Sequence, residues 1–174
     1  GEFPAIGEAA KDFSLANNKR EDVNLASFGS KRKILNIFPS IDTPTCALSV
    51  KRFNDEAANL DNVVVLCISA DLPFAQKRFC GAEGVENIET LSAFRNIEKF
   101  SNDYGVAILD TSLQGLTTRA VLVLDESNKV TWALYLNAQL SHTKDMDAMS
   151  DLFGAIDEAD NNIAEIKRII GINL

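Results

Sequence analysis

The run Val63-Val64-Val65-Leu66-Cys67-Ile68-Ser69 is apolar almost without interruption. A strand with one wet face alternates apolar and polar residues, and this one does not. Such a run needs cover on both faces, which is the position of a central parallel strand with helices above and below. It is also strand-sized, far short of the roughly 20 apolar residues that span a bilayer.

The flanking segments fit that demand. Lys33 to Phe38 reads as a second strand, and Cys46 to Leu60 as the crossover helix, with Ala47, Val50, Phe53, Ala57 and Leu60 at helical spacing. Asp71-Leu72-Pro73-Phe74 predicts a helix start with Asp71 as N-cap and proline in the first turn. That helix is expected to stop near Cys80-Gly81, and Ala93 to Tyr104 reads as another. Ala120 to Leu124 and Val130 to Leu136 predict two strands joined by the turn Asp125 to Lys129. Early parallel units followed by a hairpin and a final helix imply an α/β, thioredoxin-like fold: a central mixed sheet flanked by helices.

The 174 residues suffice for one domain. With 17 Lys and Arg against 25 Asp and Glu, the net charge is −8, which argues against a phosphate-backbone binder. The basic clusters Lys31-Arg32-Lys33 and Lys51-Arg52 are short and read as solvated surface. No basic segment followed by an apolar one suggests export, so a cytoplasmic protein is expected. The three cysteines lack a Cys-x-x-Cys spacing and His142 is the single histidine. A structural zinc site takes about four ligands, so neither a metal nor another cofactor is expected. His142 reads as a loop residue.

The chemistry concentrates on Cys46. It follows a strand end and a turn and opens a helix, where unpaired backbone N–H groups and the helix dipole favour a thiolate. Thr43 lies three residues earlier; it is either a helix cap or a hydroxyl that serves the thiol. Pro39 and Pro44 stiffen the turn. Arg119 opens the apolar strand Ala120 to Leu124, an uncommon place for a purely superficial arginine. Cys67, inside its apolar run, reads as a core residue. Phe28, Phe38 and Phe74 read either as core or as an apolar approach to the thiol.

Together, Pro39-x-x-x-Thr43-x-x-Cys46 resembles the signature of the peroxiredoxins. The segments Leu35 to Thr43, Val65 to Gln76 and Arg78 to Gly84 are similar to those of the bacterial thiol peroxidases, the atypical two-cysteine branch, and the likeness runs from about Phe13 to Asp125. The resemblance implies a peroxidatic role for Cys46, a resolving role for Cys80, and roles at the substrate for Thr43, Arg119 and Pro39. It also implies hydrogen peroxide and organic hydroperoxides as substrates, an intrachain Cys46–Cys80 disulfide, a thioredoxin-like dithiol reductant and a homodimer, with no nucleic acid or membrane partner.

Two regions depart from the family pattern. Only Gly1 to Ala10 precedes the match, so the family's extra N-terminal hairpin is expected to be absent or truncated. From about 138 to 174 the chain differs from the family pattern. There Met149, Leu152, Ile156, Ala159, Ile163, Ile166 and Ile170 form an a/d seam of about three heptads, which reads as a final helix on the sheet or one that pairs with another chain. The second option leaves open a redox sensor or interaction protein built on a peroxiredoxin core. A general disulfide oxidoreductase fits less well, because the Cys-x-x-Cys pair is missing.

Overall fold

The computed structural model describes residues 1–136. In chain order the elements are β1 (Leu15–Ala16), β2 (Asp22–Val23), a short 3-10 helix (Leu25–Phe28), β3 (Arg32–Ile37), α1 (Pro44–Ala57), β4 (Val63–Ser69), α2 (Pro73–Glu83), β5 (Glu89–Ser92), α3 (Ile97–Asp103), β6 (Arg119–Leu124) and β7 (Val130–Leu136). The strands form one seven-stranded sheet in the order β2-β1-β5-β4-β3-β6-β7. β3, β4 and β5 are parallel and linked by α1 and α2, while β6 runs antiparallel to β3 and β7 to β6. The apolar run that opened the sequence argument is thus a central strand, with Val65 to Ile68 at most 1% exposed.

The two faces of the sheet have different cover. Leu35 and Ile37, Leu66 and Ile68, and Ala120, Leu122 and Leu124 point one way and join Phe100 of α3 and Tyr104 just beyond it in the main core. The alternate residues point to the side of α1 and α2: Asn36 of β3 donates to Ser49 of α1 at 3.4 Å. Val50 and Phe53 bury the apolar face of α1. Each such side chain contributes about 1.5–3 kcal/mol relative to full exposure.

Several expected boundaries shift. Helix α1 begins at Pro44, so Cys46 lies within its first turn, and it ends at Ala57 rather than Leu60. Helix α2 does not stop at Cys80-Gly81. It continues to Glu83 and closes on Gly84, whose φ of 67° is the left-handed geometry that glycine adopts without a Cβ clash. Its N-cap is Leu72, not Asp71, and no side chain caps it. Helix α3 spans only Ile97–Asp103.

Lys33 is not the solvated residue its basic cluster suggested. It is 0% exposed, and its ammonium donates to the carbonyls of Gly29 and Lys31 at 3.0 and 2.8 Å. Burial pulls its pKa down, against the attraction of Asp125 and Glu126. Within Gly1–Ala10 the described backbone holds no strand beyond a bridge from Ala9 to Lys129, and the short β1–β2 hairpin follows it. Among the described residues no helix is long and apolar enough to cross a membrane. The expected C-terminal helix and His142 lie outside the described residues.

Candidate active site

The site is built where β3 ends. Beyond Ile37 the backbone stays parallel for one more residue, with Phe38 N–H donating to the Ile68 carbonyl at 3.1 Å. The buried Pro39 then fixes φ and leads into a turn in which Thr43 N–H donates to the Ser40 carbonyl at 3.2 Å. Thr43 is extended (φ −87°, ψ 138°) and is the N-cap of α1, with Pro44 in the first turn. Its carbonyl accepts from Ala47 N–H at 2.9 Å, which starts the helix.

The Thr43 side chain does not cap the helix. Its hydroxyl donates to the Ser40 carbonyl at 3.0 Å and lies close enough to Cys46 to lower its pKa. Cys46 is 2% exposed. The expected fall in its pKa is not what the resting site produces. Burial pushes the thiol up, and this outweighs the lowering by Thr43, by the Arg119 charge and by the Ser40 backbone; Asp71 adds a further upward push. The stabilising groups predicted from the sequence are present, but the thiolate is desolvated more than they compensate.

Arg119 reaches the site because β6 is antiparallel to β3. Ile37 at the end of β3 pairs with Ala120 at the start of β6. The approach to β6 is tied down by Thr117, whose hydroxyl donates to the Phe38 carbonyl at 2.8 Å. Two chain segments remote in sequence therefore meet at one edge, with Cys46, Thr43 and Pro39 on one side and Arg119 on the other.

Cys80 is elsewhere. It is part-buried in the last turns of α2 as a free thiol. Burial raises its pKa, with partial relief from the Thr90 hydroxyl on β5. Its neighbour is Cys67, whose thiol is pushed up to about 12 by burial and further by Cys80, while Asn36 donates to its sulfur at 3.5 Å. None of the three cysteines is in a disulfide. The three phenylalanines do not act alike: Phe38 is 2% exposed, Phe28 packs at the rim of the core, and Phe74 is 61% exposed beneath the Arg20 guanidinium.

Sequence reasoning missed Ser40, Asp71 and Thr117. The Asp71 carboxylate accepts from Ser40 Oγ, Ile41 N–H and Ser69 Oγ, each at 2.7 Å. The Asp-Leu-Pro-Phe pattern looked like a helix start, and nothing local signals that its acid turns back to another loop. Ser40 and Thr117 act through contacts distant in sequence, which spacing cannot reveal.

A sheet of this topology, with a buried cysteine in the first turn after its central strand and an arginine opposite, defines a thioredoxin-like cysteine redox protein. The Redoxin family profile matches residues 5–149. A thiol peroxidase of Corynebacterium glutamicum is 45% identical over 148 residues, which cover 85% of this chain and 88% of that protein. Among solved structures, a peroxiredoxin-like protein from Aquifex aeolicus is 27% identical with a TM-score of 0.74, covering 88% of this chain and 89% of that one. A thiol peroxidase from Chromobacterium violaceum is 26% identical with a TM-score of 0.74, covering 90% of each chain. The chain belongs to the Redoxin family. It is a thiol-dependent peroxidase of the peroxiredoxin class.

Proposed function

We propose that Cys46 is the peroxidatic nucleophile and Cys80 the resolving cysteine of an intrachain cycle that consumes hydrogen peroxide and organic hydroperoxides. The observation that carries this reading is the surroundings of Cys46: one thiol at a helix start, sharing its site with the Thr43 hydroxyl, the Ser40 backbone and the Arg119 charge.

In the first step the Cys46 thiolate attacks the terminal oxygen of ROOH. A sulfur–oxygen bond forms, the O–O bond breaks, and the alkoxide leaves as ROH after taking up one proton. Cys46 becomes a sulfenic acid and the peroxide is reduced. Displacement is in line, so charge moves from sulfur to the departing oxygen. Arg119 offers fixed N–H donors to that charge, Thr43 orients the peroxide beside the sulfur, and Pro39 walls the turn against water.

In the second step the Cys80 thiol displaces hydroxide from the sulfenic acid. A disulfide forms and one water leaves. A thioredoxin-like dithiol then reduces the disulfide by exchange and is itself oxidised. Cys80 packs toward Cys67 and Thr90. Closure of a Cys46–Cys80 bond, with its Cα separation of about 4.4–6.8 Å, therefore requires the end of α2 to unwind. Need of a dithiol donor places the protein in a reducing, cytoplasmic setting. A homodimer formed near the active-site edge, and a single domain with an appended segment from about 138 to 174, complete the reading.

Non-reducing peptide mapping after one equivalent of peroxide tests it. The expected product joins the Cys46 and Cys80 peptides. A Cys46–Cys67 bond, or a Cys46 that stays reduced, would overturn it.

A further inference from the structure

The Asp71 carboxylate faces away from its own helix. Among the described residues it meets three donors, and two of them, Ser40 Oγ and Ile41 N–H, belong to the turn that leads into Cys46. The third, Ser69 Oγ, closes β4, where Gln76 Nε2 reaches it at 3.0 Å and also donates to the Leu91 carbonyl at 3.0 Å. Gln76, in the first turns of α2, is 0% exposed. The Ser92 hydroxyl of β5 donates to the Asp71 carbonyl. One acid thus joins the turn before Cys46, the end of β4 and, through Ser69 and Gln76, the helix that carries Cys80.

This placement is not that of a helix cap. Capping α2 was the local use for an acid at this position, yet the N-cap goes without a side-chain bond. Nor does the carboxylate help ionise the thiol, since its charge opposes the Cys46 thiolate. What it supplies is position: it holds the Ser40 side chain and the Ile41 N–H, and the Ser40 carbonyl in that same peptide unit receives the Thr43 hydroxyl.

We propose that Asp71 is a positioning residue that holds the Ser40–Ile41 turn in its peroxide-cleaving shape and links that turn to the Cys80 helix, so that releasing it slows peroxide cleavage and speeds disulfide closure. The proposal rests on the assignment of Cys46 and Cys80 above. The same bonds that order the turn for the first step must be given up before the second, so their strength divides the cycle between the two.

The experiment follows the reduced full-length chain through a single turnover with hydrogen peroxide. Sulfenic acid at Cys46 and the Cys46–Cys80 disulfide are quantified by trapping and mass spectrometry at successive times. Asp71→Asn keeps the shape but turns an acceptor oxygen into a donor facing other donors. Loss of charge-assisted hydrogen bonds of this kind corresponds to about tenfold slower sulfenic acid formation. Closure should accelerate by several-fold. Ser40→Ala, which removes one of the three donors, should move both rates the same way by less. Ser92→Ala removes the bond to the Asp71 carbonyl but leaves the carboxylate in place, and should keep both rates within about twofold of the parent.

Opposite changes in the two steps support the proposal. Unchanged rates, or a parallel fall in both, overturn it, the second because it marks a merely destabilised protein. If Asp71→Asn does not fold, the same two rates in Ser40→Ala decide, and unchanged or parallel rates there overturn the proposal equally. If the parent protein forms no Cys46–Cys80 bond with peroxide, the cysteine assignment fails first, and that result is visible before any variant is made.

Discussion

Cys80 acts electrostatically on Cys67, its neighbour across β4 and α2, while the groups that act on Cys46 are Thr43, Arg119, Ser40 and Asp71. The cysteine beside Cys80 in the reduced fold is therefore not the one with which it is proposed to react. Cys67 is fully buried on a central strand and its thiol is held protonated. A thiol held protonated is a poor nucleophile, which disfavours Cys67 as a partner.

Cys80→Ser follows directly. The variant should form the Cys46 sulfenic acid at the parental rate, because nothing that contacts Cys46 has changed. It should then accumulate overoxidised Cys46 and fail to turn over with a thioredoxin system. Stopped-flow oxidation with intact-mass analysis measures both, and sustained turnover would remove Cys80 from the cycle.

Arg119→Met removes the positive charge that lowers the Cys46 pKa while leaving burial in place. The thiol, already raised, should rise further, so the pH midpoint for alkylation of Cys46 moves to higher pH. Loss of a fixed donor at the departing oxygen corresponds to a drop of about 10²–10³-fold in kcat/KM for peroxide. An unchanged midpoint would show that Arg119 does not act on the sulfur.

Alkaline stability should depend on Cys67. In the folded protein its thiol ionises at about 12, against the ordinary value of 9.0. Above that ordinary value the unfolded chain gives up the proton first and the folded chain keeps it. Unfolding is then favoured as pH rises, by about 1.4 kcal/mol per pH unit until the folded thiol also ionises. Cys67→Ala should flatten the fall in stability between those two pH values. Tyr104, whose phenol burial also raises, is present in both proteins, so the difference in denaturant midpoints isolates Cys67.

Asn54 of α1 joins the two cysteine-bearing helices. Its Oδ1 accepts from Glu86 N–H at 2.9 Å and Asn87 N–H at 2.8 Å in the segment just after α2, and the side chain is buried. Asn54→Ala leaves both amides without that acceptor, which costs about 1–3 kcal/mol. Hydrogen exchange should quicken at Glu86, Asn87 and the last turn of α2, and Cys80 should alkylate faster. Unaltered protection there would dissociate Asn54 from the mobility of the resolving helix.

Strands β3, β4, β6 and β7 were legible because burial leaves long apolar runs, as in Val63 to Ile68, and the first helix because Val50 and Phe53 repeat at its period, whereas β1, β2 and β5, of two to four residues, are too short to carry such a pattern and were missed. Cys46 and Thr43 could be singled out as candidates because the turn and helix start that join them lie within a few residues of chain. Lys33 was misread because a lysine whose ammonium finds backbone carbonyls looks, in sequence, like any other surface lysine. Asp71 was misread because its local pattern offers a plausible cap and its true partners arrive from another loop. The Cys46 thiol was expected to be acidic because helix position is visible in the sequence and desolvation is not.

The pairing of Ile37 with Ala120 makes the reaction centre a seam between two separately encoded pieces of chain. Cys46 and its turn come with β3, whereas Arg119 arrives at the head of β6 after the long connection from α3. That connection folds back on itself through an antiparallel bridge between Ala107 and Thr117, and its tip carries Leu109 and Leu113 at the surface, 67% and 45% exposed. Only the exposed tip from Leu109 to Gly115 is free of that bridge and of the Thr117 bond to Phe38, so residues can be exchanged there without disturbing the segments that hold Cys46 and Arg119. That tip can therefore change in evolution, or be redesigned, while the sulfur, its helix and the arginine stay fixed.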